Sequence, residues 1–430
     1  MEEAKVLSCA DTAGAESNVL SEENITSAEE YCRSLTANLA EFQGRLATAR
    51  SEKECARFLR DEACGEATTR LEAFKASPLA GRTASALMAV AYFLALVVFF
   101  VSFAGDRAAG IGVTALSLGV LVAGIAVTGG MFLGSRRLCS VLPGRVAYNV
   151  FSENFPSKKQ EKGKILVIAA THSSAPGSYF ANFDRVRKVV FVALPCSLVS
   201  FVLFCILKMA LGTDTTAEIV VFAIFPCVCA AAGIVPLALH FSFSARHVRE
   251  NNDAGVAAAL CAYRYFLSHP EALPEGTRVC FASFGAEYAA HAGSRAFAAA
   301  HPEIAGGKAV VFGDITGDSF KFVRKDALRG KVFSRTAMTS VEKATEKCGI
   351  KCAAVPADES IKSKLNALHG YSAEALASAG CDVVMLTAKD YGFEGSGVPQ
   401  ASPVQLAVKA FEFAVNAMAK TAEGEDERRG

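Results

Sequence analysis

Three ionisable side chains stand directly after strongly apolar runs: KILVIAAT leads into His172, RVCFASF-Gly-Ala into Glu287, and AVVF-Gly into Asp314. Runs of this kind read as buried strands, and in open α/β sheets functional groups gather beyond the carboxyl ends of strands. A fourth polar group, Glu250-Asn251-Asn252-Asp253, opens the helical stretch AGVAAALCAYRYF. Together, His, Glu and Asp are what metal-assisted hydrolysis requires: ligands for the ion and a carboxylate to take a proton from water. Each also has a structural role open to it. Asp253 reads as the N-cap of its helix, and a lone strand-end His or Asp is commonly a hydrogen-bonded framework residue.

The elements that must position these groups alternate between strand and helix. Strand-like runs cover residues 66–74, 147–155, 164–171, 278–284, 309–312 and 382–386; helical stretches cover 254–268, 294–300, 340–347 and 403–419. Near the amino terminus, Tyr31, Leu35, Leu39, Phe42 and Leu46 form an amphipathic stripe. Ser27 with Glu30, and Ser51 with Glu54, have the spacing of capping boxes. Apolar strands alternating with helices predict a mixed, largely parallel sheet covered on both faces.

Four long runs carry no charge: residues 83–105, 108–135, 189–207 and 219–245. Each approaches or exceeds the roughly 20 residues an apolar helix needs to cross a bilayer, and they predict two transmembrane α-helical hairpins, four helices in all. Basic residues flank the hairpins at Lys75, Arg82, Arg136, Arg137, Arg145, Arg185, Arg187, Lys188, Arg246 and Arg249, against Arg107 and Lys208 on the short turns. That bias puts both termini and the main domain in the cytoplasm of a bacterial-type inner or plasma membrane. The resulting plan is a mobile tail (1–25), a domain in three parts (26–81, 135–186 and 246–420) interrupted by hairpins at 82–134 and 187–245, and a second tail (421–430). A formal net charge of +1 without a basic segment excludes the footprint of a nucleic-acid binder. The 14 cysteines form no zinc-ribbon or dithiol pattern and read as reduced, mostly buried thiols. His269, His291, His301 and His369 lie at helix boundaries or in polar turns and read as surface groups.

The order of these segments resembles the zinc-dependent exopeptidases that include bacterial leucyl aminopeptidases, glutamate carboxypeptidase and the transferrin receptor ectodomain, the MH-clan metallopeptidase fold. The resemblance is carried by EKECARFLRDEACG, ILVIAATHSS, ENNDAGVAAAL, VCFASFGAEYAAHAGSRAF, AVVFGDITGD and AGCDVVML, in that order. It implies His172 as the first histidine ligand, Glu287 as general base and Asp314 as a further ligand. The bridging aspartate of the family falls on Asn251, the ligand glutamate on Tyr288 and the last histidine near Gly397. Ser174 stands where an aspartate orients the first histidine.

Two divalent ions about 3.5 Å apart repel by roughly 19 kcal/mol at an effective dielectric near 20, and a bridging anion offsets much of that. Asn251 is neutral, so a dinuclear zinc centre is not expected. The cofactor expectation is no metal or one zinc ion, held by His172, Asp314 and a third group from Glu250, Asn251 or Asp253. The sequence therefore predicts a membrane-anchored, aminopeptidase-like protein that has lost hydrolytic chemistry and acts by binding a peptide or protein. Its alternative is an active aminopeptidase with a single-metal site. Membrane lipid is the other expected partner.

Overall fold

A computed structural model describes residues 20–64, 68–77, 80–104, 107–132, 138, 141–154, 165–174, 176–178, 184–211, 220–221, 224–232, 243–248, 251–289, 291–313, 315, 320–323, 333, 344, 353–355, 372–388 and 402–418. Asp314, Glu250, Gly397, His369 and nearly all of the helix expected at 340–347 lie outside the described residues.

An eight-stranded mixed sheet forms the centre. Its strands are β1 (Thr68–Ala76), β2 (Arg145–Glu153), β3 (Ile165–Thr171), β6 (Arg278–Phe284), β7 (Lys308–Phe312), β8 (Lys321–Val323), β9 (Ala353–Val355) and β10 (Asp382–Thr387), in the order β1-β2-β6-β3-β7-β10-β8-β9. Strands β6, β3, β7 and β10 are parallel neighbours, while β1–β2, β2–β6 and β10–β8 are antiparallel. Every residue of β3 and β6 is buried, as continuous apolar strands covered on two faces must be.

Alternation along these strands divides the core in two. Leu166, Ile168, Ala170, Phe281, Val310 and Phe312 face helices α1 (Glu22–Ala40), α2 (Arg50–Ala63), α6 (Asp253–Ser268) and α9 (Pro403–Met418). Val167, Ala169, Cys280, Ala282, Phe284 and Val311 face α7 (Ala292–Ala300) and α8 (Ser372–Ser378). The period of two thus places consecutive strand residues in opposite layers.

Helices α3 (Ala80–Val101) and α4 (Arg107–Phe132) lie between β1 and β2 in sequence, and those two strands pair with Ala76 opposite Arg145. The second helical insertion repeats the arrangement. Helix α5 (Asp184–Leu211) and the helical residues 224–232 fall between β4 (Pro176–Ser178) and β5 (Phe243–Val248), which form their own antiparallel ribbon. Each insertion therefore springs from the tip of a two-stranded ribbon.

The inserted helices form a separate apolar cluster. Tyr92, Phe99, Leu121, Phe201, Cys205 and Ala230 pack together, and Tyr92 donates to the Ser197 carbonyl at 3.1 Å. Among the described residues, every exposed large hydrophobic side chain except Val141 and Val146 lies on these segments or at the helical residues Val220 and Val221. Among the described residues, one helix is long and apolar enough to cross a membrane, Arg107–Met131; Ala86–Val101 and Pro195–Leu211 are shorter apolar helices.

Several local expectations are corrected. Helix α1 begins at Glu22, five residues before the Ser27–Glu30 box, and is capped by Ser21, whose side chain accepts from the Asn24 N–H at 3.3 Å. Helix α2 begins at Arg50, so Ser51 lies inside it and its hydroxyl donates to the Gly44 carbonyl instead. Lys208 is in α5 rather than on a turn: its ammonium donates to Ser102 Oγ and sits 3.3 Å from the centre of the Phe103 ring. An ammonium screened by a hydroxyl and an aromatic face is tolerated beside an apolar bundle.

Candidate functional site

The site is built at the carboxyl ends of β3 and β6. His172 follows β3 and is fully buried. Its Nδ1 lies 2.9 Å from Ser283 Oγ, and its Nε2 has no hydrogen-bond partner among the described residues. Burial first, and then the charge of Arg45, push the imidazole down to about 3, so it is neutral at ordinary pH.

The residues after His172 connect it to the other groups. Ser173 Oγ accepts from the Glu287 N–H at 3.0 Å. The Ser174 hydroxyl donates to Asn251 Oδ1, and its N–H donates to the Arg45 carbonyl at 2.6 Å. Asn252 fastens this corner to β7: its amide donates to the carbonyls of Thr171 (3.4 Å) and Phe312 (3.3 Å), and its oxygen accepts from the Ile315 N–H at 2.9 Å.

Asp253 does not cap its helix through its side chain; Asn252 holds the cap position. Its carboxylate is paired with the guanidinium of Arg45, whose side chain has no solvent exposure. Arg45 also donates to Cys55 Sγ at 3.3 Å. Burial raises the Asp253 carboxyl against the opposing pull of Arg45.

A second buried carboxylate, Glu52 on α2, clamps two loops. It accepts from the Thr48 and Ala286 N–H groups at 2.5 Å each, and both donors have left-handed backbone (φ 65° and 47°). Burial pushes its carboxyl up to about 7, against the backbone hydrogen bonds and neighbouring Lys53 and Arg45.

Glu287 follows Ala286 and is almost wholly buried. One oxygen accepts from the Ser294 hydroxyl (2.7 Å) and lies 2.8 Å from His291 Nδ1; the other accepts from the Ser294 N–H (3.0 Å). These bonds hold the carboxyl below its ordinary range despite burial. Both oxygens are thus engaged at the first turn of α7, where a carboxylate also complements the helix dipole. His291 is a member of this group, not a surface residue.

The structure therefore brings His172, Ser174, Asn251, Asp253 and Glu287 into one hydrogen-bonded corner. Tyr288 follows Glu287 and is half-buried. Arg45 lies outside the segments that carry the resemblance, and Glu52, Ser173, Ser283 and Ser294 lie within them without an implied role, so none of the five was singled out from sequence. His291 did carry a signal, four residues after Glu287.

Among the described residues, the polar groups around His172 are engaged with protein partners. Asp253 is neutralised by a guanidinium, Glu287 closes a helix, and Ser174 and Asn251 satisfy one another. Among the described residues, no group of three or more His, Cys, Asp or Glu converges as a cation site.

No family model matches the chain, and no curated protein matches it in sequence. Solved structures similar to it include the aminopeptidase from Aneurinibacillus sp. strain AM-1, with a TM-score of 0.47, 12% identity, and coverage of 94% of this chain and 97% of the other. BSAP, a zinc aminopeptidase from Bacillus subtilis, gives 0.46 and 11%, covering 93% and 96%. Fimbriiglobus ruber glutaminyl cyclase gives 0.43 and 11%, covering 91% and 94%.

Proposed function

We propose that this chain is a membrane-anchored, peptidase-like protein that acts by binding a peptide or protein rather than by hydrolysis. The observation that carries this reading is the buried ion pair of Arg45 with Asp253 beside His172. The positive charge of Arg45, already felt by the His172 imidazole, opposes a divalent ion at that histidine. The same position supplies one carboxylate fewer, because Asp253 already balances Arg45. Glu287 is tied by both oxygens to Ser294 and His291, which favours a structural role for it at the start of α7 and leaves fewer lone pairs for a proton from water.

Four membrane-crossing helices in two hairpins, with the domain parts and both termini on the cytoplasmic side, complete the proposal. It is supported by the lipid-compatible surface of α3, α4 and α5 and by the basic residues flanking both insertions. The second reading, an aminopeptidase with one zinc on His172, Asp314 and a third group, draws support from the unpartnered Nε2 of His172 among the described residues.

Metal analysis of the full chain purified in detergent, together with release of amino-terminal residues from short peptides, separates the two. The binding reading expects no stoichiometric zinc and no hydrolysis sensitive to Glu287→Gln. About one tightly held zinc per chain, with chelator-sensitive hydrolysis abolished by Glu287→Gln, would overturn it in favour of the enzyme.

A further inference from the structure

On the side of the sheet away from α1 and α6, six charged groups close a ring around Phe151. His301 Nε2 lies 2.9 Å from Glu72, Glu72 is bonded to Arg70 at 3.0 Å, and Arg70 reaches Glu153 at 3.3 Å. Glu153 pairs with Arg278 at 3.5 Å, Arg278 lies 3.8 Å from Glu303, and Glu303 returns to His301 Nδ1 at 2.8 Å. His301 is 4% exposed and lies between the rings of Phe151 and Phe297, with centroids 4.4 and 4.5 Å away. This histidine was expected at the surface.

The ring joins elements that the chain separates. Arg70 and Glu72 belong to β1, Glu153 to β2, Arg278 to β6 and Glu303 to the short 3-10 turn Pro302–Ile304 after α7. Strands β1 and β2 form the ribbon that carries α3 and α4, whereas β6 and the turn belong to the body of the domain. A neutral imidazole has one N–H, and here each ring nitrogen faces a carboxylate. Only the imidazolium can donate to both, and only then does the ring alternate cation and anion with no net charge.

We infer that His301 is a proton-controlled latch that fastens the β1–β2 ribbon, and with it the first helical insertion, to the body of the sheet. Burial favours the neutral ring, but Glu72 and Glu303 outweigh it and raise the histidine above its ordinary 6.5. The stabilisation is therefore complete below that ordinary value and is lost as pH rises through the higher folded value. On deprotonation one carboxylate loses its donor and the ring carries an uncompensated negative charge.

Hydrogen exchange of the amides of residues 68–76, corrected for intrinsic rates, tests the latch in the full chain in detergent between about pH 5.5 and 8.5. Opening of β1 should rise across the titration, and His301→Gln should abolish that step. Glu303→Gln, at a carboxylate 42% exposed, keeps the step but moves its midpoint to lower pH. A pH-independent β1, the same step in His301→Gln, or an unshifted midpoint in Glu303→Gln each overturns the inference. The Glu303 variant decides alone if His301→Gln does not fold.

Discussion

A guanidinium with no path to solvent must be neutralised where it stands, and Arg45 is held by Asp253 and Cys55 inside the corner that His172 enters. Removing one member of a buried pair leaves the other charge uncompensated, which costs more than the pair itself contributes. Arg45→Met should therefore lower stability by roughly 2–4 kcal/mol, while Arg45→Met with Asp253→Leu should recover most of the loss. Thermal unfolding of the purified chain measures both; a double variant as unstable as the single one removes the ion pair as the explanation. The candidate site was partly legible in sequence because His172, Glu287 and the Asn251–Asp253 cluster stand at strand and helix ends. Arg45 was not, since its partner is 208 residues distant. Nothing local distinguishes a guanidinium that will be buried from one that will be solvated.

Elements meet at the site through backbone rather than through bulky side chains. Helix α7 approaches the end of β6 so closely that a Cβ on Gly293 would stand 2.1 Å from the Gly285 carbonyl oxygen. Backbone cannot yield there as a flexible side chain could. Gly293→Ala should cost roughly 2–3 kcal/mol and loosen the Glu287–Ser294 bonds; a variant with unchanged unfolding and unchanged exchange of the α7 amides contradicts this packing. The sheet was legible strand by strand, because KILVIAAT and RVCFASF have the continuous apolar character that burial on both faces demands. Helix starts were less so. Ser27–Glu30 has capping-box spacing, yet Ser21 takes the role because helical packing of Ile25 and Ala28 against the core extends α1 toward its amino end. A capping motif is one weak local preference, and tertiary burial overrides it.

At the scale of the whole molecule, two helical insertions interrupt one α/β domain without disturbing its strand pairing. The uncharged runs made the insertions legible, but not their attachment. β1 and β2 keep a continuous antiparallel register from Thr68↔Glu153 to Ala76↔Arg145, so a tight turn can replace everything between them. A chain in which short Gly-rich turns replace both pairs of helices should be soluble without detergent and retain the circular dichroism of a mixed α/β protein. Aggregation of that chain, or loss of its strand signal, would mean that the helices complete the fold rather than decorate it. The two ribbons have a mechanical consequence as well. A body moored by one stalk swivels freely, whereas one moored at two separate places keeps a fixed heading; if both insertions enter the bilayer as proposed, the corner holding His172 would meet a ligand always from the same side of that surface.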